Sequence, residues 1–233
     1  MLRIQYKIVV FLFFISMLFL TGLILLRQSE FNESERLIKT ELREKDSLFV
    51  KLISIKGEGL RNFAYDYSLW DETIEFLKKP DPEWAKINIE SVMPTFGIQH
   101  IWLYDTTLSL EYSYSTSRRT IAKELPLYKN EFKKYLSENP FRHFYIKTAE
   151  GIEEIRTSPL QKTEDTLRKG RPHGFLIAGR ILSGNYIKEL SHLMSGAVSI
   201  DSSNSMAAPG NKAGMYNYIT LKNWDGSYTA GLT

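Results

Sequence analysis

The side chains most able to do chemistry gather between Arg61 and Leu77, RNFAYDYSLWDETIEFL. Phe63, Tyr65, Tyr67 and Trp70 are interleaved there with Asp66, Asp71, Glu72 and Glu75. Asp66 with Asp71, or Glu72 with Glu75, could supply the two carboxylates of glycoside hydrolysis. Acids along a helix edge are ordinarily only solvated, however, and nothing else completes a catalytic set. His100, His143, His173 and His192 stand singly, outside any zinc-ligand spacing. No nucleophile elbow or phosphate-cradling glycine run occurs. The chain is read as non-enzymatic, with no metal and no cofactor. The chemistry left to it is binding.

Arg180 is the sharpest binding candidate. It lies between Gly179 and Ile181 in the apolar text GFLIAGRIL. A charge in such a strand must reach water or find an acid. Its partner could be a carboxylate such as Asp66 or Asp71. Alternatively it presents a bidentate fork to an anionic small molecule. Arg156, also in strand text, carries a weaker form of the same reading. His100, Trp102, Tyr112 and Tyr145 occupy strand text and could line the same cup. Asp66, Tyr67, Trp70 and Asp71 would reach it from a helix.

Elements must hold these residues. Phe63, Tyr67, Trp70, Ile74 and Leu77 recur at helical intervals, which predicts one continuous apolar face. A long juxtamembrane helix over residues 28–79 is therefore expected, with Gly57 and Gly59 at a kink or close contact. Pro80-Asp81-Pro82 would stop it. Then follow a short helix over Glu83–Met93 and a hairpin of Ile98–Tyr104 with Leu108–Tyr114. A helix over Leu127–Leu136 leads to a second hairpin, Phe141–Thr148 with Ile152–Leu160. Gly174–Leu182 reads as a buried strand and Tyr186–Met194 as a helix capped by Ser183. Ala197–Ile200 and Met215–Leu221 read as strands around a polar loop, Asp201–Gly214. The basic loop bearing Lys162, Arg168, Lys169 and Arg171 is solvated, or touches anionic lipid. Hairpins beside helices predict an α+β fold with an antiparallel sheet.

Ile8 to Leu26 is an uncharged apolar run. At roughly 1.5 Å per residue it is long enough to span a bilayer's hydrocarbon layer. It exceeds a signal peptide's apolar core, and no small-residue cleavage site follows. Residues 8–26 are read as an uncleaved transmembrane helix. Arg3 and Lys7 place residues 1–7 in the cytoplasm by the positive-inside rule, and the remainder outside. The chain has no cysteine and a net charge of +3. The first excludes a disulfide framework, and the second is too mild to point to nucleic acid.

Asp66-Tyr67-Ser68-Leu69-Trp70-Asp71-Glu72-Thr73 resembles the D-Y-x-x-W-D signature of the CHASE superfamily, in its fourth class. The strand ending at Asp105, and the Ala178-Gly179-Arg180 strand followed by a helix, agree with it. The resemblance covers roughly residues 31–231. It implies an extracytoplasmic sensor of PAS/Cache-like architecture: residues 28–79 as the helix, 80–233 as the sheet domain, 28–233 together as the sensory module. It also implies an inner-membrane receptor that binds a small molecule and signals to a histidine kinase or cyclic-di-GMP enzyme through a helix-paired homodimer. Relatives usually continue into a second membrane helix and an output module. The chain is accordingly expected to be truncated before them. A single-anchor envelope binding or scaffold protein without a ligand pocket is the alternative expectation.

Overall fold

The computed structural model describes residues 2–117, 124–125, 128–202 and 219–233, with side chains from residue 11 onward. The chain divides into two units, Met1–Leu48 and Phe49–Thr233.

Helix α1 (Leu2–Tyr67) begins in the first unit and ends in the second. It contains no proline, and its glycines are Gly22, Gly57 and Gly59, so little in its sequence interrupts it. In the first unit, the apolar side chains from Phe11 to Leu26 are mostly exposed. By length and composition this is a helix able to cross a membrane. Beyond the run, Glu35–Lys39 and Glu41–Lys45 pair one turn apart.

In the second unit, α1 stops at Tyr67, short of the expected Lys79. The cause lies in Ser68, which is fully buried. Its hydroxyl is 3.0 Å from the Tyr65 carbonyl and 2.8 Å from Ser158 Oγ in the sheet. This competition with the helix's own hydrogen bonds favours a turn. Trp70 is extended and precedes α2 (Asp71–Lys78). The expected apolar face is thus divided between two helices. Phe63, Tyr67, Ile74 and Leu77 nevertheless meet around one core.

Asp81 caps α3 (Pro82–Ala85), accepting from the Glu83 and Trp84 N–H groups. A π-helical turn over Lys86–Glu90 and a 3₁₀ turn over Met93–Phe96 replace the rest of the expected helix. Gly97, at φ 68°, ends them in the left-handed region.

Five strands follow: β1 (His100–Tyr104), β2 (Leu110–Ser115), β3 (His143–Thr148), β4 (Gly151–Leu160) and β5 (Gly174–Ile181). Their order is β2-β1-β5-β4-β3, antiparallel throughout. Helix α4 (Lys129–Glu138) comes between β2 and β3. Strand alternation divides the side chains between two faces. Ile101, Leu103, Leu160, Leu176 and Ala178 pack against Leu60, Phe63 and Ala64 of α1 and against α2. Trp102, Tyr104, Phe144, Ile146, Ile155, Phe175 and Ile177 form the far face, covered by Phe132 and Leu136 of α4.

Helix α5 (Gly184–Met194) is capped by Ser183 as expected. A second sheet has the order β6-β8-β7, from β6 (Ile200–Asp201), β7 (Ile219–Lys222) and β8 (Tyr228–Leu232). The sequence reading lacked β8, a five-residue strand containing Gly231. Its Thr229 hydroxyl donates to the Tyr145 carbonyl and joins the two sheets. Phe49, Tyr186, Leu190, Leu221 and Leu232 fill a third core beside α5. Most of the expected Asp201–Gly214 loop and the start of the expected Met215 strand lie outside the described residues, as does the start of the expected Leu127 helix. The fold is α+β, with helices flanking an antiparallel sheet.

Candidate functional site

The ten candidate residues fall into separate groups. Strand register explains the separation. Tyr112, Tyr145, Arg156 and Arg180 share the α1 face, whereas His100 and Trp102 point to the far face. Asp66, Tyr67, Trp70 and Asp71 surround the α1–α2 turn.

At that turn, Tyr67 stacks on Phe63 and meets Trp70 at a tilt, with ring centroids 4.3 and 4.5 Å away. Burial, then the Asp66 charge, raises the Tyr67 pKa. Asp66 itself is exposed. Asp71 accepts from the Thr163 N–H at 3.1 Å. It also borders a groove of about 500 Å³ with Glu72, Glu75, Asp81 and the stacked Phe76–Trp84 pair. Tyr112 Oη donates to Glu90 at 2.9 Å. Burial and then that acid push its pKa far up.

Arg180 does find an acid, but the acid is Glu154, directly opposite in β4. Its other terminal nitrogen donates to the Lys56 carbonyl of α1. Both nitrogens are therefore engaged within the protein. Glu154 is 2% exposed. His143 Nε2 lies 3.0 Å and Arg156 3.6 Å from its Oε1. Burial works to raise the Glu154 pKa. The His143 hydrogen bond and the Arg180 charge overcome it and hold the carboxyl at about 2. Gly57 makes the close approach of α1 possible. A Cβ there would be 3.2 Å from Glu154 Oε1 and 3.4 Å from Arg156 Nη2. Gly59 allows a second one, where a Cβ would meet the Phe96 carbonyl at 3.0 Å. The close contact expected at these glycines is present, within a continuous α1. Arg180 and Lys56 lie against the Tyr186 ring, at 4.9 and 5.6 Å from its centroid. Burial holds the Tyr186 pKa up at about 12.

On the far face, His100 Nδ1 is 2.6 Å from Glu153 Oε1. Both residues are buried. They belong to β1 and β4, on either side of β5, and they meet because the intervening residue is Gly179. A Cβ at Gly179 would overlap Glu153 Oε1. The Trp102 ring lies 5.5 Å from that of His100, and buried Ser113 and Ser115 flank the pair on β2.

The sequence reading overlooked Glu153, Glu154, His143 and Arg168 as site-building residues. The two acids had a signal: they are adjacent in the strand GIEEIRTSPL, so alternation must bury at least one. Arg168 had none. It leaves the basic loop and turns inward, donating to Ser68 Oγ at 2.7 Å and to the Pro159 and Tyr65 carbonyls. Its guanidinium stacks on Tyr65, 4.1 Å from the ring centroid. Lys162, Lys169 and Arg171 of the same loop are exposed.

A search of the curated proteins finds no match. Among solved structures, the chain is similar to the periplasmic domain of Vibrio cholerae LuxQ. The identity is 12% and the TM-score 0.49, covering 82% of this chain and 98% of that one. It is also similar to the ligand-binding domain of the Campylobacter jejuni chemoreceptor Tlp3 in complex with L-valine. There the identity is 11% and the TM-score 0.45, covering 85% of this chain and 92% of that one. The CHASE4 domain model matches residues 53–201, from the sheet-packed part of α1 through β6. With more than half of its length matched, and with the D-Y-x-x-W-D text at the α1–α2 turn, the chain belongs to the CHASE4 family.

Proposed function

We propose that this chain is the extracytoplasmic ligand-sensing part of a membrane signalling receptor. The observation that carries the reading is a CHASE4 domain beginning in the same helix whose N-terminal part holds the uncharged apolar run. CHASE4 domains are sensor domains. The reading places residues 1–7 in the cytoplasm, 8–26 in the membrane and 28–233 outside. The output is a histidine kinase or a cyclic-di-GMP enzyme, working as a homodimer. The chain itself binds a small molecule and performs no chemistry. Binding signals only if it favours one of two arrangements of α1 over the other.

Arg180 is the residue on which the expectation of an anionic ligand rests. Its commitment to Glu154 and Lys56 removes that preference.

The full chain in lipid nanodiscs should show a raised Tm with one compound class from a panel of amino acids, dicarboxylates, sugar acids and amines. A folded chain that responds to none of the panel and sediments as a monomer would sink the sensor reading and favour an anchored binding protein.

A further inference from the structure

We propose that Glu153 and Glu154 form a relay through the sheet, coupling the far face to helix α1. This rests on the sensor reading and adds a route by which the helix feels events on the opposite face.

Two neighbouring carboxylates in β4 are almost completely buried, at 1% and 2% exposure. Alternation sends them to opposite faces. Each meets a basic partner: His100 on the far face and Arg180 on the α1 face. Removing the Arg180–Glu154 ion pair from water costs several kcal/mol, only partly repaid by attraction, and a buried Glu153 costs more unless its hydrogen bond is made. Apolar residues at two adjacent positions would have stabilised a core as well. The second strand repeats the arrangement. Gly179 gives Glu153 its space, and the next residue, Arg180, holds Glu154.

The connection continues at both ends. His100 belongs to β1, beside Trp102 and opposite Ser115. A shift of β1 would move the imidazole and pull Glu153. Because Glu153 and Glu154 share a peptide unit, the pull reorients the Glu154 side of the strand. Arg180 follows Glu154, and its other nitrogen holds the Lys56 carbonyl. Helix periodicity directs the Leu60 N–H to that same carbonyl. Gly57 brings α1 close enough to sense the change. In such a network one altered hydrogen bond changes its neighbours.

Amide hydrogen exchange on the full chain in nanodiscs, without ligand, tests the relay. His100→Gln should speed exchange at residues 57–61 of α1 by about tenfold while the last turn of α1 stays protected. The same substitution in an Arg180→Lys background should add nothing at 57–61, since lysine cannot hold both partners. Ile177→Val removes far-face packing without touching the relay and should leave 57–61 unchanged. Glu153→Gln, which keeps the side chain's size, should reproduce the effect of His100→Gln. Additive effects of His100→Gln and Arg180→Lys would overturn the relay. So would uniformly faster exchange in both His100→Gln and Glu153→Gln, because the pair would then merely hold the core together. Neither result would change the ligand-panel outcome, so failure of the relay is distinguishable from failure of the sensor reading.

Discussion

Two glycines of β5 differ in what a methyl group would strike. At Gly179 the obstacle is the end of the Glu153 side chain, with Trp102 at 3.0 Å. At Gly174 it is the Tyr104 carbonyl, in the backbone of the neighbouring strand. A side chain can turn away, but a paired strand cannot without losing register. Gly179→Ala should cost about 1–3 kcal/mol, chiefly by breaking the His100 hydrogen bond, and Gly174→Ala should cost more. Urea unfolding of the two variants gives the comparison. Glu154 adds a pH dependence. Its carboxyl is held at about 2 against an ordinary value of 4.5. A depressed folded pKa contributes stability that is complete above the unfolded value and lost as pH falls toward the folded one. The domain should therefore weaken between about pH 4.5 and pH 2, by an order of magnitude of about 3 kcal/mol for this group. Glu154→Gln should be less stable at neutral pH and lose less on acidification. Unfolding midpoints across that range check both signs.

Among the elements, the end of α1 depends on a residue a hundred positions away. The last turn of α1 has no basic residue of its own, although a cation there is favourable to the helix dipole. Arg168 supplies one from the loop after β4, together with donors for the Tyr65 and Pro159 carbonyls. Arg168→Met should destabilise the domain by about 1–3 kcal/mol and speed exchange in the last turn of α1, leaving residues 57–61 protected. The helices and hairpins were legible in the sequence because alternation and capping are local: Ser183, Asp81, and the β3–β4 pairing. The break at Ser68 was not legible. Its cause is Ser158, in a strand ninety residues later, and no periodicity reports such a partner. Arg180's need for an acid was legible from its apolar neighbours. The identity of that acid required the register of β4 against β5. Likewise His100 and Tyr145, both in strand text, could be assigned to opposite faces only once pairing was known.

At the scale of the molecule, the proposed homodimer needs a surface. The sheet-packed part of α1 leaves Val50, Ile55 and Tyr65 exposed. The chain lacks cysteine, so a single Ile55→Cys substitution gives an unambiguous reporter. Two copies paired along this side should form a disulfide in membranes under mild oxidation, while Cys at Lys162, in the loop after β4, should not. Failure of Ile55→Cys to cross-link would move the dimer contact elsewhere or remove it.

The π-helical turn at Lys86–Glu90 also sets an angular phase. A wide turn holds one more residue than an α-turn, so everything after it is rotated relative to a regular helix. Ala85 and Ile89 are buried on one side of this passage, Ile87 is exposed, and Glu90 reaches Tyr112. Deleting Ile87 would let the turn relax to ordinary α-helix and so absorb the loss, whereas the same deletion in a regular helix would swing the later side chains by about 100°. Loss of a residue here is thus one of the few length changes a helix could accommodate without breaking, and the Tyr112–Glu90 bond records which phase the chain has chosen.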